Sequence, residues 1–177
     1  MTVTGDKLED IRRRASFACE FCGVSEADAG GLLTVDHFQP KAKGGSDDSD
    51  NLIYCCARCN SYKLDYWPKR PEDPVLWNPR RESATQHFLE LDDGRLYALT
   101  ATGAFTVLRL RLNRPPLIAH RTRKREAAEE ARSLILYRNL LGLIVQLLSQ
   151  QAALMEEQQW LLKEQQELLQ RLATNHD

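Results

Sequence analysis

Three short runs decide the reading of this chain: Cys19-Glu20-Phe21-Cys22, then Val35-Asp36-His37-Phe38-Gln39-Pro40, then Cys56-Ala57-Arg58-Cys59-Asn60. Two Cys-x2-Cys units place four thiolates on one ion, because each unit folds back to present both of its sulfurs. Cys19, Cys22, Cys56 and Cys59 are therefore read as a closed, structural Zn²⁺ site. Cys55 is adjacent to Cys56, but the two-residue spacing to Cys59 favours Cys56 as the ligand. Between the pairs lie Asp36-His37, Gly44-Gly45 and Asn51, and Asn60 and Lys63 follow the last cysteine. A purely structural zinc knuckle has no need of a carboxylate, an imidazole and two amides in that order.

The chemistry these side chains suit is phosphodiester hydrolysis, which needs an activated water, an in-line approach and stabilised charge on the leaving oxygen. Histidine titrates near neutrality and serves as a general base. Asp36 and Asn60 offer oxygen donors to a hard divalent ion, Mg²⁺ or Mn²⁺, which binds through few protein groups and keeps its waters. Neighbours on an ideal strand point to opposite faces, so Asp36 and His37 are expected at a bend or a strand end. Lys63 is a candidate to steady a phosphate charge, or else an ordinary exposed lysine; Arg58 stands in the same position.

The order C-x2-C, D-H-x2-P, G-G, N-L, C-x2-C-N-x2-K resembles the zinc-stapled branch of the HNH endonuclease family, in bacterial standalone form. Here it reads Cys19, Cys22, Asp36, His37, Pro40, Gly44, Gly45, Asn51, Leu52, Cys56, Cys59, Asn60 and Lys63. The resemblance extends more loosely through Trp77-Asn78-Pro79-Arg80, His87-Phe88 and Leu110-Arg111-Leu112-Asn113-Arg114, over roughly residues 8–125. It implies an α+β fold with a ββα-metal core and a metal-dependent DNA endonuclease. In that reading His37 is the base, Asp36 and Asn60 hold the metal, and Asn51 braces the loop behind the histidine. The competing reading is a zinc-stapled module that binds nucleic acid or protein without catalysis. A third is a nuclease effector subunit of a bacterial defence complex, phage defence being one such setting.

Around this centre the sequence predicts a helix from about Lys7 to Ser16, strands over Leu32–His37 and Leu52–Cys55, and a helix starting near Ala57. Pro68, Pro71, Pro74 and Pro79 mark an irregular linker. A hairpin turning at Asp92-Asp93-Gly94 and a short helix over Gly103–Leu112 are expected after it. Three regions are read: 1–78, the nuclease domain; 79–125, a basic extension; and 126–177, a long amphipathic helix. Net charge follows the same division. Residues 1–78 hold 10 Lys+Arg and 13 Asp+Glu, 79–125 hold 10 and 4, and 126–177 hold 4 and 8. Phosphate contacts are therefore expected from the basic middle, at Arg80, Arg81, Arg109, Arg111 and Arg114, with Lys41 and Lys43 beside the motif. Arg121, Arg123, Lys124 and Arg125 could instead solvate a helix face.

The last third carries heptad columns at Leu140, Leu147, Leu154, Leu161 and Leu168, and at Leu134, Leu141, Leu148, Met155, Leu162 and Leu169. A third column runs Tyr137, Ile144, Gln151, Gln158, Gln165 and Leu172. With the first column as d, the second is e and the third is a, and three glutamines at a weaken a simple parallel dimer. A homo-oligomer helix is expected, with docking to an unlike protein as the alternative. Arg138, Asn139, Gly142 and Gln146 interrupt the apolar run, so it is read as too short and too polar for a membrane span. Five cysteines and no secretory signal suit a reducing cytoplasm. His87, His120 and His176 lack comparable company and are read as packing or inert residues, and Trp67, Trp77 and Trp160 as packing or interface aromatics.

Overall fold

A computed structural model describes residues 5–174, with side chains through 171. His176 and the side chain of Leu172 lie outside the described residues. The chain forms two compact units, Met1–Arg125 and Glu126–Asp177.

The first unit opens with α1 (Gly5–Arg14), whose inward residue Ile11 is buried. A short helix that the sequence reading lacked, α2 (Glu26–Ala29), follows the first knuckle. Ser25 and Asp28 cap it reciprocally and Gly30 closes it at φ 75°, a serine–acid spacing that identifies such starts. Strand β1 (Thr34–His37) pairs antiparallel with β2 (Leu52–Cys55), setting Asp36 against Ile53 and His37 against Leu52. Helix α3 (Ala57–Lys63) follows at once, capped by the Cys56 sulfur, and packs against β1. Strand, loop, strand and helix thus occur as expected.

The four-proline stretch forms no helix or strand, yet it is not loose. Trp67 meets Phe38 edge-on with centroids 6.0 Å apart, and Trp77 sits edge-on to both Phe21 (6.4 Å) and Phe88 (5.3 Å). Past a one-turn helix α4 (Ala84–His87), the hairpin β3 (Phe88–Glu90) and β4 (Leu96–Ala98) turns through Gly94 at φ 79°. A side chain at Gly94 would also strike the Ile118 carbonyl at 2.8 Å, so the turn seats closely on the segment that carries Ile118. Helix α5 (Ala101–Arg109) begins two residues earlier and ends three residues earlier than expected. Its Thr100 cap accepts from the Gly103 amide. Phe88, Leu110, Leu112 and Leu117 join Ile11, Leu52, Ile53 and Tyr54 in one core.

Helix α6 (Pro115–Thr174) starts on two prolines, tolerated in a first turn whose amides have no partner anyway. In the second unit every described residue from 126 to 171 is exposed in the single chain. The expectation that this segment is too polar to cross a membrane needs correction. By length and composition α6 is apolar enough to span one, its best 18-residue window having mean hydropathy 1.3. Length and composition do not weigh position. An arginine at a helix centre costs roughly 2.5–3.5 kcal/mol of insertion free energy, and Arg138 lies inside the apolar run.

Candidate nuclease site and zinc centre

The Sγ atoms of Cys19, Cys22, Cys56 and Cys59 lie within 4.8 Å of one another, and all four residues are buried. Ligands about 2.3 Å from a tetrahedral zinc stand roughly 3.8 Å apart; Cys22 and Cys56 are 3.7 Å apart. The donors therefore fit Zn²⁺ with no opening for substrate. Hydrogen bonds among the four thiols push Cys56 and Cys19 down and Cys22 and Cys59 up, so without an ion they share the remaining protons unequally. The Cys59 amide donates to the Cys56 sulfur (3.4 Å), and the Arg114 guanidinium approaches Cys59 Sγ at 4.0 Å. Cys55 stays apart, fully buried beside Thr34, its thiol pushed up by burial. It is a core residue.

Zinc held by these four sulfurs would tie the first knuckle to the start of α3, and the hairpin between them carries the polar constellation. His37 is the last residue of β1, as the strand-end argument required. The two neighbours turn to different sides. The Asp36 carboxylate meets Lys63 of α3, with Oδ2 2.8 Å from Nζ. The His37 ring reaches into the loop, where Nε2 lies 2.7 Å from Asp47 Oδ1.

Lys63 occupies neither place expected of it. It is completely buried, pairs with Asp36, and donates to the His37 carbonyl (2.7 Å). A phosphate cannot reach an ammonium held this way, nor is the residue a solvated lysine. It holds both halves of the Asp36-His37 step. Asp36 Oδ2 is buried and ion-paired without hydrogen-bond alignment, so carboxylate lone pairs remain for a hard cation. Asn60 is half-buried on α3, and its side-chain amide has no hydrogen bond among the described residues. The partly exposed Asp36 carboxylate, shared with Lys63, and the Asn60 amide offer oxygen donors on adjoining elements, the donor type a hard divalent ion prefers.

Asn51 bridges the two ends of the loop. Its Oδ1 accepts from the Gln39 amide (2.8 Å), and its Nδ2 donates to the carbonyls of Gln39 (3.1 Å) and Ser46 (2.8 Å). Gly45 is required here by contact, because a Cβ would fall 1.8 Å from the Gln39 carbonyl oxygen. Asp47, which meets the His37 ring, was not singled out from the sequence, although it begins the aspartate-rich run after Gly44-Gly45. The Lys41 ammonium, and then His37, hold its carboxyl below the usual range. Lys7 fixes its backbone carbonyl (2.6 Å). An ionised carboxylate only accepts, so the contact with Asp47 is made by Nε2–H of His37.

The expected phosphate-contacting residues divide. Arg80 pairs with the largely buried Glu20 (3.0 Å), Arg109 donates to the Lys63 carbonyl (3.1 Å) and lies over Tyr66, and Arg114 donates to the Leu110 carbonyl (3.1 Å). Lys41 pairs with Asp47. Lys43, Arg81 and Arg111 are exposed, Arg111 lying over the Tyr62 ring. Arg121 solvates no helix face: 7 % exposed, it donates to the carbonyls of Gly94 (2.6 Å) and Leu112 (2.8 Å). Much of the basic middle therefore satisfies backbone carbonyls. His87 is buried against Thr100 (2.7 Å), as expected of a packing residue.

Residues 19–65 match the family model of HNH endonucleases. The HNH segment so defined begins at the first zinc cysteine and ends two residues beyond Lys63, enclosing the whole constellation. No curated protein and no solved structure matches the chain.

Proposed function

We propose that this chain is a metal-dependent endonuclease that hydrolyses phosphodiester bonds in DNA, with His37 as the general base. The observation that carries the reading is the His37–Asp47 contact inside the HNH hairpin. With Nε2–H donated to Asp47, the imidazole is held in one tautomer and Nδ1 is free to accept a proton. A water oxygen attacks phosphorus, its proton passes to His37 Nδ1, and the bond from phosphorus to the leaving sugar oxygen breaks. Asp36 and Asn60 are the residues that would hold Mg²⁺ or Mn²⁺, which when bound supplies charge stabilisation at the phosphate and leaving oxygen. Lys63 and Asn51 act through their neighbours, the first fixing Asp36 and the His37 backbone, the second fixing the loop that carries Asp47.

Plasmid cleavage in Mg²⁺ tests the assignment. His37→Ala lowers the rate by about 10²–10⁴-fold or more, the span attributed to general-base loss. Asp47→Asn keeps the hydrogen bond but removes the charge that fixes the tautomer, and gives a smaller loss. His37→Ala protein that cuts at the wild-type rate removes His37 from the role.

We infer further that residues from about 130 to 172 join copies of the chain and so pair the nuclease sites. The support is the heptad pattern, whose column residues from Leu134 to Leu169 are all exposed in the single chain. Each leucine buried on association contributes on the order of 1.5–3 kcal/mol before entropy is counted. Paired sites would let two single-strand cuts become a double-strand break.

A further inference from the structure

The two sides of α3 differ in chemistry. At about 100° per residue, Asn60 and Lys63 fall on one side, while Arg58 and Tyr62 fall on the other. On that second side a groove of about 690 Å³ runs between α3 and the first turns of α6, and Arg58, Tyr62, Arg114, His120 and Arg123 are among its lining residues. Pro116, His120 and Arg123 line it from one face of α6, at helical spacing.

The cations at this groove are not equivalent. Arg114 faces inward, donating to backbone carbonyls and approaching the Cys59 sulfur, so it offsets zinc-site charge. Arg58 and Arg123 are exposed at the rim, and Arg111 lies over the Tyr62 ring with its guanidinium carbon 4.9 Å from the centroid. Arg58 has no ion-pair partner among the described residues. The acidic residue at the groove is Asp28, whose carboxylate accepts from the Ser25 amide (3.2 Å) and Ser25 hydroxyl in the cap of α2. It also lies 3.9 Å from His120 Nδ1 and within electrostatic reach of Arg123, which leaves Arg58 as the rim cation with no acidic neighbour there among the described residues. A committed carboxylate and outward guanidiniums favour an anion. The volume is of small-pocket size, which admits one backbone strand and not a whole duplex.

We propose that this groove binds the phosphodiester backbone of nucleic acid, at a phosphate other than the one presented to His37. The inference rests on the nuclease reading for its choice of polyanion. The body of a helix, about 10 Å across, separates the groove from the Asn60 side. The contact is therefore a second anchor that adds affinity without reading sequence.

The test uses full-length His37→Ala protein, so that DNA stays intact, with and without Arg58→Ala/Arg123→Ala. Binding to a labelled duplex is followed by anisotropy across a salt series, with zinc content measured in both proteins. Each phosphate contact contributes about 0.9 to the slope of log K against log salt. Loss of two lowers that slope by about 1.8, to the same extent for unrelated sequences and with zinc retained. An unchanged slope overturns the groove while leaving the nuclease reading intact. A slope that falls as expected, in a chain whose His37-bearing form never cuts, supports the groove and overturns the nuclease. Weakened poly-glutamate binding with unchanged DNA binding overturns the proposal in favour of an acidic protein partner.

Discussion

Lys63→Met tests whether a buried cation organises the site. The substitution keeps most of the side-chain volume but removes the ammonium that lies 2.8 Å from Asp36 Oδ2 and 2.7 Å from the His37 carbonyl oxygen. Removing one partner of a fully buried ion pair costs about 3–5 kcal/mol. Lys63 is wholly buried but the Asp36 side chain keeps 21 % exposure, so the low end applies, about 3 kcal/mol. For a unit of this size that corresponds to a fall in Tm of about 10 °C. A divalent ion at Asp36 would supply the missing positive charge, and ligands that bind only the folded form stabilise it by mass action. Added Mg²⁺ should therefore raise the Tm of Lys63→Met more than that of the wild type. Thermal melts with a Mg²⁺ titration, without chelator and with zinc content checked, measure both effects. A variant that melts within about 2 °C of wild type, a shift below 1 kcal/mol, would refute the reasoning, as would an identical response to Mg²⁺.

Cys59→Ser should lose zinc and the folded HNH segment, whereas Cys55→Ser should keep its zinc at a stability cost of about 1–3 kcal/mol for a hydroxyl in the core; elemental analysis and circular dichroism separate the two. The Arg12 guanidinium, with the Tyr54 hydroxyl, holds the Glu26 carboxyl at about 2 against an ordinary 4.5. Its folded value is depressed, so its stabilisation is fully present above about pH 4.5 and fades as pH falls toward 2. Glu26→Gln should flatten that part of an acid-unfolding profile. A chain ending near Arg132 should be monomeric by light scattering where the full chain is oligomeric; a monomeric full chain at concentrations on the order of 10 μM, weak for a coiled coil, would count against self-association.

The HNH centre was legible because its constraints are local or metal-set. Cysteine spacing picks out the four sulfurs that cluster, and the strand before Phe38 ends at the predicted histidine. Asp47 and Lys63 were not legible in the same way. An aspartate in a run of three looks like loop solvation until the loop's closure is known, and that closure depends on Gly45 lying against the Gln39 carbonyl. The environment of Lys63 depends on where β1 crosses α3, which no periodicity in a seven-residue helix encodes. Likewise the basic middle gave a correct net charge but no directions. Arg80 turns to the Glu20 carboxylate, Arg109 to the carbonyl of Lys63 at the end of α3, and Arg121 to the Gly94 carbonyl of the hairpin turn, acceptors that only the tertiary fold brings within reach. In α2 the signal was present, in Ser25, Asp28 and Gly30, but a four-residue helix leaves too little apolar pattern to be noticed.

Cys22 and Cys56 are 34 positions apart, and Asp36, His37, Asp47 and Asn51 all lie on the stretch between them. One ion would thus complete the cross-link that encloses every one of these groups. Occupancy of that ion is a yes-or-no property of each molecule. Gradual zinc depletion should therefore thin out the competent population and leave each remaining molecule turning over at full speed. A titration of active sites would fall in step with zinc content, and the rate per titrated site would stay flat.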